Sequence, residues 1–229
     1  MKSKVYFIAV SEEDASRTIE LKLLRLLEAG KILDCISRKD NVAIKMHFGE
    51  EGNTGYVHPQ YLRIICDAIN KRGASPYLAD TNTLYRGRRL NFKDHLKLAY
   101  EHGFTAEAVA APVVIPDDTR KENVAGLKID RRFIKTAKVL KIFLEADAIV
   151  GVAHFKGHIM TGFGGALKNI GMGCAAREGK LAQHSDISPI VILKNCTGCR
   201  ECVKVCPVKA ISMRKEKSNI YSTKCIGCA

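Results

Sequence analysis

Short apolar runs separated by helical segments are the feature that most constrains the fold of this chain. The five runs are residues 5–10, 42–46, 76–79, 113–115 and 148–153. They lack the alternation of polar and apolar residues that marks a half-exposed strand, so we expect strands that are buried on both faces. The sequence therefore predicts a layered α/β domain with a largely parallel sheet.

Two amphipathic segments carry signals for the start of a helix. Ser11 precedes three acidic residues, a pattern that favours an N-cap, and apolar residues then recur on one face until Gly30. Pro59 is predicted to begin a second helix, because proline is tolerated at the first helical position. The buried stripe of that second helix should consist of Leu62, Ile65, Cys66 and Ile69.

The distribution of apolar residues predicts neither a membrane-spanning segment nor a secretory signal. The longest apolar stretch, residues 148–153, is far shorter than the roughly 20 residues that a bilayer requires, and the amino terminus has no hydrophobic signal segment. We therefore expect a cytoplasmic protein that is not bound to a membrane.

The net charge of +13 is unevenly distributed along the chain. Residues 191–229 hold eight Lys or Arg against only Glu201 and Glu216. This excess favours an acidic redox partner protein or a small anionic molecule. Nucleic acid is disfavoured, because Tyr221 is the only aromatic residue after Phe163 and base stacking needs several.

Polar groups follow three of the predicted strands. His47 follows residues 42–46, Asp80 follows residues 76–79, and His154 follows residues 148–153. Ligands in open α/β sheets bind beyond the carboxyl ends of the strands. If these strands are neighbours, the three side chains converge and are candidate catalytic residues, although each alone is equally a loop residue with a structural role.

Residues 161–174 contain five glycines around Lys168 and Asn169. Glycine lets backbone N–H groups approach a phosphate or carboxylate, although a hinge or close helix packing also explains such a segment. Two of its histidine neighbours, His154 and His158, have a metal-ligand spacing that would require a helix, and they follow a strand instead. The candidate ligand-binding residues are Arg88, Lys156, His158, Gly164, Gly165, Lys168 and Asn169.

Six of the nine cysteines lie near the end of the chain and are candidate metal ligands: Cys196, Cys199, Cys202, Cys206, Cys225 and Cys228. The first four have the spacing Cys-x2-Cys-x2-Cys-x3-Cys-Pro. In this arrangement three thiolates hold one [4Fe-4S] cube and the fourth reaches a second cube, whereas a zinc ribbon uses two separated pairs.

The second cysteine run is interrupted. It starts at Cys225 and stops at Ala229, whereas the pattern would continue at positions 231 and 235. We therefore expect two [4Fe-4S] clusters in the complete native protein, and incomplete or absent clusters in these 229 residues.

The chain resembles the iron-sulfur proteins built on the domain of unknown function 362, which are often fused to a two-cluster ferredoxin module. Besides the cysteine run, the resemblance rests on residues 42–45, 57–59, 73–74, 80–88, 154–158, 161–162 and 165–171. It implies an α/β domain joined to a ferredoxin-like module. The uneven distribution of cysteines and charge predicts the boundary near Ser188 and Pro189, with the α/β domain over residues 1–188 and the incomplete module over residues 189–229. It implies no settled reaction.

The amino-terminal domain is also distantly similar to the lactate-racemase group, in which His and Lys at strand ends serve the substrate and a nickel cofactor. Here that similarity is limited to His154 and the glycine-rich segment around Lys168.

Three functions are compatible with these features. The leading hypothesis is an iron-sulfur electron-transfer protein or redox enzyme that binds a small anionic ligand or substrate at the strand ends. One alternative is a non-redox isomerase or racemase-like enzyme that acts on a hydroxy acid and carries a structural cluster. A second alternative is a binding protein that senses iron or redox state.

Overall fold

A computed structural model describes residues 4–85, 87–158, 161–184, 189–206, 208–222 and 224–225. The first half of the chain forms, in order, α1 (Ser16–Ala29), β1 (Asn41–Lys45), α2 (Pro59–Lys71), β2 (Ser75–Ala79), α3 (Phe92–Glu101), α4 (Ala106–Val109) and β3 (Val113–Val114). The second half forms β4 (Val124–Lys128), β5 (Thr136–Leu140), α5 (Lys141–Leu144), β6 (Ala148–Gly151), β7 (Lys156–His158), β8 (Gly162–Gly164), α6 (Ala166–Gly171), α7 (Arg177–His184), α8 (Glu201–Val205), β9 (Ile211–Arg214) and β10 (Lys217–Ile220).

Four strands form a parallel sheet in the order β3-β2-β1-β6. β1 is central, and its residue Ile44 pairs with Leu78 of β2 on one side and with Val150 of β6 on the other. The prediction of an α/β domain with a largely parallel sheet is confirmed at this level. Because all strands run the same way, the loops that follow β1, β2 and β6 lie at one edge of the sheet.

The two faces of the sheet contribute to different hydrophobic clusters. Successive side chains of a strand point to opposite faces, so Ile44 packs in a cluster with Leu62 of α2, whereas Ala43 packs with Leu140 and Phe143. Ile44 and Ala43 are both fully buried. Burial on both faces explains why the strand segments are continuous apolar runs.

Three antiparallel hairpins, β4-β5, β7-β8 and β9-β10, accompany the main sheet. The β7-β8 hairpin lies between β6 and α6 in the chain and carries several of the predicted site residues. The β9-β10 hairpin follows α8 in the cysteine-rich segment. Among the described residues, no helix combines the length and apolar character needed to cross a membrane.

Two of the sequence predictions are wrong. Residues 5–10 form no strand, because no strand among the described residues pairs with this apolar run, and Val5 and Phe7 are 89% and 87% exposed. The first helix begins at Ser16 rather than after Ser11. The Ser11 N–H donates to the Asp14 carboxylate instead, a local turn that competes with helix initiation.

The second helix agrees with its prediction in detail. α2 begins at Pro59, ends before Gly73, and buries Leu62, Ile65, Cys66 and Ile69. Gly73 has a φ of +76°, which glycine adopts at little cost. The predicted domain boundary near Pro189 adjoins residues 185–188, which lie outside the described residues.

Candidate functional site

A pocket of about 610 Å³ lies where β1, β2 and β6 end. Nine of the ten side chains and glycines predicted for an α/β-domain site line it: His47, Asp80, His154, Lys156, His158, Gly164, Gly165, Lys168 and Asn169. They meet because β2 and β6 flank β1, which brings the ends of these three strands to one edge of the sheet.

Arg88 is the exception. Its guanidinium pairs with the Glu101 carboxylate and lies 3.4 Å from Glu51, and it is absent from the pocket lining. Ligand binding by Arg88 stays a prediction that this pocket does not support.

A buried ion pair forms the floor of the pocket. Lys45 ends β1 and is 1% exposed, and its Nζ lies 2.9 Å from Asp80 Oδ1. The same ammonium donates to the Met46 carbonyl at 2.7 Å and to Asn169 Oδ1 at 2.9 Å. All three N–H bonds of Lys45 are thereby used inside the protein.

The second oxygen of the Asp80 carboxylate is held by Arg89. The distance from Arg89 Nη2 to Asp80 Oδ2 is 2.9 Å, and His95 Nε2 lies 3.4 Å from the same oxygen. Burial opposes ionisation of Asp80, but the two cations prevail and hold its pKa well below the usual range. Asp80 is therefore a permanent anion that orients Lys45 and Arg89, rather than a group that exchanges protons near neutral pH.

Arg89 connects this floor to the rim of the pocket. Its Nη1 donates to Glu50 Oε1, which also accepts from the hydroxyl of Tyr85. Arg89 Nε donates to His95 Nε2 at 3.2 Å, so that nitrogen of His95 accepts and the buried ring is neutral. Burial lowers the pKa of His95 in the same direction.

Asn169 ties the ends of two strands together. Its amide Nδ2 donates to the carbonyls of Lys45 at 2.9 Å and Val152 at 3.1 Å. Gly173 lies against the same group, since a Cβ there would be 1.9 Å from the Asn169 carbonyl and 2.7 Å from Lys45 Nζ. Both N–H groups of the Asn169 amide thus donate to backbone carbonyls at the ends of β1 and β6. Glycine is required at position 173 because its backbone lies so close to the Asn169 carbonyl and Lys45 Nζ.

Two lysine-histidine pairs line the wall of the pocket. Lys156 Nζ lies 2.7 Å from His47 Nε2 and 3.0 Å from the Gly55 carbonyl. Lys168 Nζ contacts His158 Nε2 in the same manner. The two lysine side chains flank Gly164, whose absent Cβ would lie 3.7 Å from Lys168 Cδ and 3.9 Å from Lys156 Cγ.

These pairs have perturbed pKa values. Burial, followed by the positive charges around the ring, lowers the pKa of His47 to about 4. Burial lowers the pKa of Lys156, with a further contribution from the charge of Arg89. Burial also lowers the pKa of Lys168. His47 is therefore neutral near pH 7, and both amines release protons more readily than a solvated lysine does.

Lys180 of α7 is a third lysine at the pocket and is 7% exposed. Its Nζ donates to Thr81 Oγ1 and to the Asn82 carbonyl, and its third N–H has no acceptor among the described residues. Burial lowers the pKa of Lys180 to about 8, so it is mostly charged at pH 7.

His154 has a buried ring nitrogen without a partner. Its Nδ1 is removed from solvent and meets no hydrogen-bond partner within the described part of the chain. Buried polar atoms are nearly always hydrogen-bonded, and His154 lines the pocket, so a bound molecule is a natural partner for this atom.

The predicted set of site residues lacks four charged residues that line the pocket: Lys45, Glu50, Arg89 and Lys180. One signal was present, because Lys45 is the only charged residue inside the apolar run 42–46, and a charge at such a position needs a buried partner. Arg89 and Lys180 carry no comparable signal, since isolated basic residues usually lie in solvent.

Comparison with known protein families identifies the chain. The family described as domain of unknown function (DUF362) matches residues 42–215, which is most of the sequence. The chain belongs to the DUF362 family. No curated protein and no solved structure matches it.

The DUF362 match includes the first cysteine run, where sulfur atoms lie beside hydrogen-bond donors. The Ser218 N–H donates to Cys196 Sγ at 3.4 Å, and the Ala210 N–H donates to Cys206 Sγ at 3.2 Å. The Ser218 hydroxyl also lies 3.1 Å from Cys202 Sγ. Hydrogen bonds from the Ser218 and Gly198 backbone lower the pKa of Cys196, which favours the thiolate form that binds metals.

The chemistry of these donors therefore fits an iron-sulfur cluster. Within the described residues, however, no three His, Cys, Asp or Glu side chains are grouped as a metal site. The predicted ligand Cys228 lies outside the described residues, and Cys225 is partly buried. Cys66 and Cys174, which lie far from this run in the sequence, are buried, whereas Cys35 is exposed.

Proposed function

We propose that this protein is an iron-sulfur redox enzyme whose α/β domain binds a small carboxylate at the strand-end pocket. The observation that carries the proposal is the charge of the pocket lining. Four cationic side chains, those of Lys45, Arg89, Lys168 and Lys180, and the basic amine of Lys156 stand against the carboxylates of Glu50 and Asp80.

The two carboxylates are already committed to cations. Asp80 is paired with Lys45 and Arg89, and Glu50 is paired with Arg89. Among the described residues Lys180 forms no salt bridge, although the charges of Asp80 and Asp118 act on it, and one of its N–H groups has no acceptor there. A carboxylate bound there gains a charge-assisted hydrogen bond in a recessed site, where such bonds are about twice as strong as neutral ones.

The neighbouring histidines suit proton transfer to the bound molecule. The pKa of His47 at about 4 keeps its ring neutral, and the lowered pKa of Lys156 makes its amine a better base near neutral pH. Reduction or oxidation of an organic group usually moves a proton as well as electrons, so the pocket supplies what that chemistry requires.

The cysteine segment is the proposed electron carrier. Cys196, Cys199, Cys202, Cys206, Cys225 and Cys228 would hold the clusters, which exchange single electrons when bound. Hydrogen bonds to sulfur and the lysines of residues 191–229 compensate the negative charge of the thiolates. Exposed Lys194, Lys204 and Lys209 suit an acidic redox partner protein that approaches by electrostatic steering.

The experiment uses the full chain purified without oxygen. Because the second cysteine run is interrupted in these 229 residues, we expect iron and acid-labile sulfide below the content of two complete clusters, a paramagnetic signal after reduction with dithionite, and the loss of both when Cys196, Cys199 and Cys202 are replaced by Ser. The same preparation is titrated with acetate, lactate, pyruvate and oxalate, with glycerol as the uncharged control. Iron and sulfide that remain bound after the three cysteine substitutions, or equal responses to glycerol and to the acids, contradict the proposal.

A second candidate function, a non-redox isomerase or racemase of a hydroxy acid, is favoured by the two lysine-histidine pairs around Gly164. Inverting a carbon centre requires a base to remove a proton and an acid to return one, and two adjacent pairs supply both. Turnover of one enantiomer of lactate by the oxidised protein, unchanged by reduction, would favour this function over the redox enzyme.

A further inference from the structure

The His47 ring has a defined tautomer because its other nitrogen is already engaged. The Gly49 N–H donates to His47 Nδ1 at 3.2 Å, so Nδ1 carries no proton. A neutral imidazole has one N–H, which must then be on Nε2. Nε2 is the atom that faces Lys156 Nζ at 2.7 Å.

The contact between these two nitrogens fixes the protonation state of Lys156. An ammonium has three donors and no acceptor, so it cannot accept the Nε2–H of His47. An ammonium that donated to Nε2 instead would leave the ring with two acceptor nitrogens and no proton, an anionic form that neutral pH does not populate. The geometry is satisfied when Lys156 is an uncharged amine whose lone pair meets Nε2–H and whose own N–H donates to the Gly55 carbonyl.

Lys156 is also reachable from the pocket. It lies at the start of the β7-β8 hairpin, its residue surface is exposed, and it lines the cavity. Gly164 on the facing strand leaves room beside its side chain. An uncharged, accessible lysine amine next to a histidine is the arrangement that lets a lysine attack a carbonyl.

We propose that Lys156 is a nucleophile that forms a Schiff base with a small 2-oxo acid. The inference rests on the proposed function, because Lys180 would bind the carboxylate of that acid. It extends the function by naming the reactive group of the ligand, a carbonyl next to the carboxylate.

The step balances without any oxidant or reductant. The lone pair of Nζ attacks the carbonyl carbon, a C–N bond forms, and the π electrons of the C=O bond move to the oxygen. The excess proton that Nζ carries after the attack passes to that oxygen, which gives a neutral carbinolamine, while the His47 ring keeps its Nε2 proton. The hydroxyl then leaves as water with the remaining Nζ proton, and the nitrogen lone pair completes the C=N bond.

The test traps the imine by reduction. The full chain is incubated with pyruvate and sodium cyanoborohydride at pH 7, and the modified lysines are mapped by peptide mass spectrometry. Lys97, an exposed lysine of α3, serves as the internal reference. We expect Lys156 to react faster than Lys97, because the amine of Lys156 is already uncharged in the geometry with His47 and lines the pocket.

Three variants test whether Lys156 reacts fast because of its contact with His47 or only because its side chain is exposed. Lys156→Arg should abolish the fast adduct, and His47→Phe should slow it, because the amine then loses the Nε2–H that favours its uncharged form. Lys97→Arg should leave the rate of the Lys156 adduct unchanged. Thermal melting of each variant reports whether its fold is intact. The ratio of the Lys156 rate to the Lys97 rate is measured in the wild type, so it does not depend on whether any variant folds.

The outcome for this inference is distinguishable from that for the proposed function. If calorimetry shows that lactate binds while Lys156 reacts no faster than Lys97, the Schiff base is refuted and the carboxylate pocket stands. If neither lactate nor pyruvate binds, the proposed function fails. Fast trapping at Lys156 that lactate suppresses by competition supports both.

Discussion

At the scale of single residues, the pocket depends on charges that are buried and mutually compensated. Lys45 and Asp80 are 1% and 2% exposed, and neither has contact with bulk water. Removing a charge from water costs several kcal/mol, which the partner must offset. The ion pair therefore holds the ends of β1 and β2 in a fixed relative position. Its charges also contribute to the electrostatic potential that a ligand meets in the pocket.

Replacing Asp80 by Asn should be strongly destabilising, because Lys45 and Arg89 would remain buried without their anion. We expect a loss of about 3 to 5 kcal/mol in the free energy of unfolding, measured by urea denaturation. Asp67→Asn removes the partner of Arg63 in an exposed ion pair and should cost less than about 1 kcal/mol. Equal costs for the two variants would contradict the buried pair.

Stability should also fall in mild acid because of His47. Its pKa is about 4 in the folded protein and 6.5 as the ordinary value, so the unfolded chain binds more protons between these limits. The free energy of unfolding therefore decreases as pH drops from 6.5 towards 4, by at most about 3 kcal/mol. His95, whose pKa burial also lowers, acts in the same direction.

The measurement is the urea midpoint of the wild type and of His47→Gln at several pH values. Gln takes up no proton, so the variant should lose less stability over this range than the wild type loses. Parallel pH curves for the two proteins would show that His47 is not held in its neutral form.

Part of the site could be predicted at this scale. His47, Asp80 and His154 meet because each follows an apolar run, and parallel strands end at one edge of the sheet. The partners of Asp80 could not be predicted. Arg89 comes from a loop whose path depends on tertiary packing, and the sequence around it has no periodicity that would reveal burial.

At the scale of elements, the β7-β8 hairpin and α6 form the part of the site that the sheet does not supply. The hairpin presents Lys156 and His158, and α6 presents Lys168 and Asn169. Asn169 bonds to the ends of β1 and β6, which fixes α6 against the sheet. The glycine-rich segment thus includes a tightly packed junction at Gly173 as well as pocket wall at Gly164 and Gly165.

Gly173→Ala should disturb this junction. Its Cβ would overlap the Asn169 carbonyl and approach Lys45 Nζ, so we expect a loss of about 3 kcal/mol in stability, since overpacking costs of this order are typical of tight sites. Gly171→Ala is the matched control, because a Cβ there meets nothing within 4 Å. It should be neutral or slightly stabilising. If both variants unfold at the same urea concentration as the wild type, the packing at Gly173 is not as described.

A helix or strand could be predicted where all the sequence signals that define it lie within its own segment. α2 has a proline at its first position, a regular apolar stripe and a terminating glycine, and these signals act within one segment. Residues 5–10 show the opposite case. Their apolar character suits a strand, but a strand exists only where a neighbour supplies hydrogen bonds, and no local signal reveals whether that neighbour is present.

At the scale of the whole molecule, a parallel α/β sheet carries the pocket and a cysteine-rich segment follows it in the chain. The DUF362 match spans both parts, from residue 42 to residue 215. The excess of cations in residues 191–229 and the cations around the pocket are separate features. We propose that the first serves a protein partner and the second a small ligand.

The central claim is that the strand-end pocket binds a small carboxylate through Lys180. Titration calorimetry with pyruvate at pH 7 tests it most directly, comparing the wild type, Lys180→Met and the surface control Lys97→Met. We predict one saturable site, a loss of affinity of about tenfold or more in Lys180→Met, as expected for a charge-assisted hydrogen bond, and no change in Lys97→Met.

The same titration at higher pH provides a second readout, since the pKa of Lys180 is about 8 and the wild-type affinity should decline above that pH. An affinity for pyruvate that is identical in the wild type and Lys180→Met, and constant from pH 7 to pH 9, would contradict the account.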